Sequence, residues 1–326
     1  MLAGIPLAIS ACSSSSSSSS TANSTAANSG ALTDITVSIT PGTDTPAVYL
    51  AQSLGYFKQY GLSVKFSTNS AGGSISIPQV LSGQSQFGYV GVTDFAEALT
   101  KGFPLKVLGP FDATPLTSNN NENSQVVTLP SSGITNVGQL GGKTVGVNSL
   151  GGVGQLYVDA AVKNAGGDWQ AIKYVAVQWA NAGTALAAKD IDAAWVANPS
   201  LVVLKQQQST LKVLAQAPSA LGPNIPQTGW VTSASYLKAH PTVVKEFHEA
   251  MDEAVTYVQA NPNAARENIT KIVGTPASVT KGMALANQST TVTATNLNAV
   301  ISQLKAFDLF TGKLPPVSSW FVSNFG

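Results

Sequence analysis

Two hydrophobic periodicities alternate along the chain from Thr33 onward. Ile35-Thr36-Val37-Ser38-Ile39 switches between apolar and polar with period two, the pattern of a strand with one buried face. Thr45 then predicts a helix N-cap with Pro46 at the first helical position. Val48, Ala51, Leu54 and Phe57 follow at helical spacing. Gly55 and Gly61 punctuate the end of that helix, and Val64 and Phe66 open a second strand. Residues 87–90 read as a third strand, followed by a helix with Asp94 near its cap and Phe95, Ala98 and Leu99 on one face. Residues 105–108 read as a fourth. The asparagine-rich stretch 114–124 is too polar for a core and predicts a boundary loop, with 126–129 as a short crossover strand.

A second alternation then begins. Gly141-Gly142-Lys143 leads into the strand 144–147, and the glycine-rich turn 148–152 leads into a helix carrying Leu156, Ala160, Ala161 and Val162. Residues 172–177, 193–196 and 211–214 supply further strands, and Gly229-Trp230-Val231 reads as a crossover back. From Ala234 the pattern is mostly helical, with Phe247, Met251, Ala254, Val255 and Val258 at spacings of three and four. Two α/β units joined by two crossovers predict two lobes with a cleft between them. The expected division is 34–127 with 225–326 as the first lobe and 128–224 as the second.

Composition narrows the function class. Of 326 residues 44% are apolar, which excludes general disorder, and the net charge of +1 offers no footprint for nucleic acid or an anionic surface. The inventory for catalysis and metal binding is thin: two histidines, His240 and His248, and one cysteine, Cys12. The histidines stand eight apart, which rules out the four-residue helical metal pair and favours solvated surface positions. No cofactor or metal is expected. Asp190 and Asp192 share one face at a strand start, read as the solvated one.

Residues 1–12 explain the lone cysteine. Residues 1–8 are mostly apolar, and Ile9-Ser10-Ala11-Cys12 resembles a bacterial lipobox, in which the cysteine is lipidated and becomes the mature N-terminus. Eight serines follow at once, within a Ser-rich linker over 13–33 that cannot fold. No Lys or Arg precedes the apolar run, so the signal departs from the export pattern and reads as truncated. As a tether, about twenty residues span roughly 25 Å, enough to clear a headgroup layer.

Five stretches, in order, resemble the solute-binding proteins that feed importers of sulfonates, nitrate, taurine and thiamine precursors. They are the opening strand–helix–strand unit with 55–64; Gly72-Gly73 with Leu81-Ser82-Gly83-Gln84 and Phe87-Gly88; Gly102-Phe103-Pro104-Leu105-Lys106-Val107; Ser132-Gly133-Ile134 with 140–147; and Asp190-Ile191-Asp192-Ala193-Ala194 with Pro199. Each motif is loose; their shared order and spacing carry the likeness. The resemblance implies a two-lobed type II solute-binding fold, each lobe a mixed sheet flanked by helices. It also implies hinge closure around a small-molecule ligand, delivery to an ABC permease, and an extracytoplasmic monomer held to the membrane only by its lipid. An enzyme on the same fold, similar to pyrimidine-precursor synthases or menaquinone-pathway enzymes, is the alternative. A ligand sensor is another.

Ligands in open α/β sheets bind beyond the carboxyl ends of strands. That rule selects Thr43, Asp44 and Thr45; Ser70, Gly72, Gly73 and Ser74; and Val92, Thr93 and Asp94 from the first lobe. From the second it selects Asn148, Ser149, Gly151 and Gly152; Trp179 and Asn181; and Trp195 with Asn198, while Trp230 lies on the return crossover. Singly, hydroxyls and carboxylates at helix starts are most often caps, and tryptophans most often core. Asp44 and Asp94 are the only acid–base candidates for an enzyme. Arg266 is the one arginine and falls in the helical tail, and the selected loops contain no lysine. The expected ligand is therefore small, flat or partly apolar, and neutral or singly anionic, gripped by tryptophan and backbone amides.

Overall fold

The computed structural model describes residues 31–69, 72–117 and 121–322. The strands are β1 (Thr33–Ile39), β2 (Leu62–Thr68), β3 (Phe87–Gly91), β4 (Leu105–Ala113), β5 (Ser124–Thr128), β6 (Thr144–Val147), β7 (Lys173–Ala176), β8 (Ala193–Ala197), β9 (Lys212–Gln216), β10 (Pro226–Ser233), β11 (Asn287–Ser289) and β12 (Phe321–Val322). They form two sheets. The first has the order β11-β4-β10-β3-β1-β2 with β12 paired to β4, and the second runs β7-β6-β8-β5-β9.

In the first sheet the period-two run of β1 buries Ile35, Val37 and Ile39 and pairs in parallel with β2, Val37 lying opposite Phe66. The helix Pro46–Ser53 stops short of Leu54, which is exposed, so the predicted four-residue stripe ends at Ala51 and resumes with Phe57 in a separate turn, Tyr56–Gln59. Phe57 and Phe87 both stack on Phe247 of the helix Pro241–Ala260, the latter pair at 3.9 Å. The tail thereby covers the first sheet.

Three readings of the pattern change. Residues 229–231 are not a bare crossover: they lie inside β10, which runs antiparallel between β3 and β4 in the interior of the sheet. Strand β4 continues past Leu108, through Gly109-Pro110, to Ala113. Strand β5 bonds to β8 and β9, so it belongs to the second sheet and the chain changes lobes within 114–123 rather than at 127–128.

The two connections between the lobes run side by side and are joined at Thr114. Its buried hydroxyl donates to Gly222 O at 2.5 Å and accepts from Ile225 N at 2.8 Å, while its backbone N–H donates to Ile225 O. A tail helix, Ala294–Ala306, also reaches the second lobe. Gln303 Nε2 donates to Leu221 O at 2.9 Å, and Phe307 meets Trp169 edge-on at 5.0 Å. Among the described residues no helix is long and apolar enough to cross a membrane.

Candidate functional site

Strand ends from both sheets meet along the boundary between the lobes. After β1, the turn at Gly42 is closed by Thr45, whose Oγ1 accepts from Gly42 N at 2.9 Å and donates to Gly42 O, so it does not cap the following helix as expected. This turn sets Asp44 beside β11: Gln288 Nε2 donates to Asp44 O at 2.7 Å. Tyr89 in the middle of β3 receives a hydrogen bond from Thr228 of β10 at 2.5 Å. Asp112, near the end of β4 and 9% exposed, completes this wall.

The second lobe faces that wall with Tyr157, one turn into the helix Val153–Asn164. Asp112 and Tyr157 line a small cavity with Glu122 and Asn287 where the crossovers pass. Burial pushes the Asp44 carboxyl up to about 6. Burial, then the charge of Asp44, holds the Asp112 carboxyl well above the usual carboxylate range. The Tyr157 phenol is raised by burial and then by the charges of Asp112, Glu122 and Asp44. These groups share one field.

Two wider cavities continue along the boundary. One of about 250 Å³ lies between the helix Ser200–Gln207 and the tail segment 279–283; Asn121 lines both it and the small acidic cavity. Lys205 and Lys281 also line it, so lysine does reach the lobe boundary, though from residues the strand-end rule passes over. The other, about 640 Å³, is bounded by Trp179, Pro199 and Ser200 of the second lobe and by Gly274, Thr275 and Pro276 of the tail.

The expected site residues divide. Ser70 and Cys12 lie outside the described residues. Thr43 is buried with Thr45 in the turn. Gly72 N donates to Thr40 Oγ1 at 3.2 Å, and Ser74 lies in the first turn of the helix Gly73–Ser82. Asp94 caps rather than reaching into the cleft: its carboxylate accepts from Gly91 N at 3.2 Å and from Gly73 N, and a Cβ on Gly73 would strike it. Val92 and Thr93 are buried at the head of the helix Val92–Thr100, Val92 in the core. Asn148, Gly151 and Gly152 are half-buried and Ser149 exposed in the turn after β6, where Gly151 N donates to Gln155 Oε1. Asn181 is exposed. Asn198 is buried and ties the second lobe to the tail, its Nδ2 donating to Ala284 O at 2.9 Å.

The tryptophans need correction. Trp230, 2% exposed, packs on Tyr89 and Phe247 in the first core and offers no stacking face. Trp195, 5% exposed, is walled in by Tyr157, Trp179 and the close approach of Gly154. Only Trp179 is half-buried with cavity beside it. His248 is not a solvated surface group either: its Nδ1 lies 2.9 Å from Gly109 O, and its Nε2 3.4 Å from Asp252. Asp192 accepts from Thr144 N at 2.8 Å, so it joins strands rather than facing solvent. Arg266 holds Met283 O at 2.9 Å, bracing the tail segment.

Sequence reasoning missed Asp112, Glu122, Tyr157 and Gln288. The one acid in β4, following the apolar stretch from Val107 to Phe111, was a usable signal for Asp112. Tyr157 reads as core from its helical spacing, and Glu122 is one polar residue in a polar loop.

Known proteins share this fold. The alkanesulfonate-binding protein SsuA of Xanthomonas axonopodis pv. citri, bound to MOPS, superposes with a TM-score of 0.72 at 16% identity, over 90% of this chain and 100% of that one. A Candida albicans gene product with the generic periplasmic binding protein fold gives 0.71 at 18% identity, over 89% and 96%. In sequence, a 4-amino-5-hydroxymethyl-2-methylpyrimidine phosphate synthase of Aspergillus parasiticus is 29% identical over 247 residues, covering 70% of this chain and 68% of that protein. The fold is the two-lobed type II binding fold, and the NMT1/THI5-like profile matches residues 43–265, more than half of the chain. The chain belongs to the NMT1/THI5-like family.

Proposed function

We propose that this protein is the solute-binding component of an ATP-driven importer, holding one small organic molecule between its lobes and presenting the closed form to a permease. The observation that carries the reading is the lobe boundary itself: buried polar groups and cavities converge there from both sheets, beside two adjacent connections able to act as a hinge. The name of the alkanesulfonate-binding neighbour agrees with it. The pairing of Trp179 with the wider cavity supports a flat or partly apolar ligand body. Small-angle scattering of the full chain tests the reading: an authentic ligand should compact the protein, and saturable binding without change in shape would count against lobe closure.

Membrane attachment through Cys12 and an extracytoplasmic, monomeric state belong to the same proposal, supported by the lipobox and serine tract. With an export signal supplied, Cys12→Ser should abolish lipid labelling; labelling that persists would remove the anchor. A second reading, an enzyme, is favoured by one specific observation, the 29% identity to a pyrimidine phosphate synthase. Product formation from a pyrimidine precursor under single-turnover conditions would establish that reading in place of the first.

A further inference from the structure

The inner end of the cleft is rich in acceptors. Asp44 arrives from the turn after β1, Asp112 from β4 and Glu122 from the first crossover, with the phenols of Tyr89 and Tyr157 beside them. The neighbouring charges that raise Asp112, Tyr89 and Tyr157 are carboxylates: Asp44 acts on all three, Asp112 on both phenols, and Glu122 on Tyr157. The lysines at the boundary, Lys205 and Lys281, line the neighbouring cavity.

An independent observation comes from β11. Gln288, 8% exposed, lies opposite Asp112 in the strand register and gives its amide N–H to the Asp44 carbonyl. Its Oε1, on the same amide and therefore beside the Asp44 turn, is buried and receives no hydrogen bond. A buried carbonyl oxygen without a donor is costly, and two carboxylates in one field repel each other. Both costs are relieved by one kind of partner, a group that brings N–H donors and positive charge.

We infer that the inner end of the cleft recognises a small organic cation, an amine or amidinium, held by Asp44, Asp112 and the Gln288 carbonyl oxygen. The inference rests on the solute-binding reading and replaces the neutral or anionic ligand expected from the sequence. A sulfonate or nitrate placed here would face the carboxylates of Asp44 and Asp112 on the first-lobe wall. Binding a cation also draws protons off the carboxyls, so affinity rises with pH through the range in which Asp44 titrates, near 6.

Shape-matched probes test this on the full chain: benzamidine as cation, benzamide as neutral isostere, benzoate and benzenesulfonate as anions, each titrated by calorimetry with scattering in parallel. Benzamidine is expected to bind at least about tenfold tighter than benzamide, since charge-assisted hydrogen bonds are the stronger kind. Its affinity should climb between pH 5 and 7.5. Asp112→Asn and Asp44→Asn, both isosteric, should each abolish the preference and flatten the pH profile while leaving the circular dichroism unchanged. Equal or tighter binding of benzamide or an anion would overturn the charge assignment, as would a preference that survives in both variants. If the anions alone bind and close the lobes, the cation falls and solute binding stands; if no probe binds, both fall.

Discussion

Thr114→Val isolates the junction of the two crossovers. Valine keeps the shape of threonine and removes the hydroxyl, so two hydrogen bonds go at once: the one donated to Gly222 O and the one accepted from Ile225 N. The losses differ. Gly222 is half-buried, and water can replace its partner, whereas Ile225 N is enclosed and stays unpaired. A replaceable bond is worth about 1 kcal/mol and an orphaned buried donor about 1–3, so the sum is roughly 2–4 kcal/mol. At about 2–4 °C per kcal/mol for a domain of this size class, the midpoint should fall by roughly 4–16 °C. Differential scanning calorimetry reads the shift. Thr114→Ser keeps the hydroxyl and should stay within about 1 kcal/mol of the parent, because it deletes one methyl group. A Thr114→Val midpoint within about 1 °C of the parent, or an equal loss in Thr114→Ser, would refute the idea that this hydroxyl holds the connections together.

Two further substitutions probe the second lobe. Gly154→Ala would place a Cβ 2.6 Å from Trp195 Cζ3, against a rigid buried ring, so it should destabilise by about 1–3 kcal/mol and alter tryptophan near-ultraviolet dichroism; an unchanged spectrum and midpoint would show that the contact is soft. Asp159 is fully buried against the Tyr174 hydroxyl, and burial raises its carboxyl to about 7. Its folded form therefore keeps a proton that the unfolded chain releases near pH 4, so stability should fall as pH rises from about 4 to 7, by at most about 1.4 kcal/mol per unit. Denaturant titrations across that window should show a shallower slope for Asp159→Asn, and identical slopes would exclude Asp159 as the source.

The local pattern of this chain was enough for its alternation of strands and helices and for the doubling of that unit, because burial on one face leaves a period of two or about three and a half in the residues themselves. It also located the turn at Asp44, since the chain must turn beyond the carboxyl end of a parallel strand before its helix begins. Partnership is another matter. Period two says that one face of β5 and of β10 is buried but not which sheet buries it; hydrogen bonds to β8 and β9, and to β3 and β4, settle that. The same holds for the indoles. Trp195 and Trp230 stand on strands near the cleft, and only the packing of Gly154 and Tyr157 against one, and Phe247 against the other, turns both into core. The acidic end of the cleft was hidden for the same reason: Asp44, Asp112, Tyr157 and Gln288 are far apart in sequence, and each alone reads as a turn residue, a strand end, a helix face or a tail polar group. Their shared field exists only once two sheets, a crossover and a returning tail bring them to one place, because electrostatic coupling depends on distance through space and not along the chain.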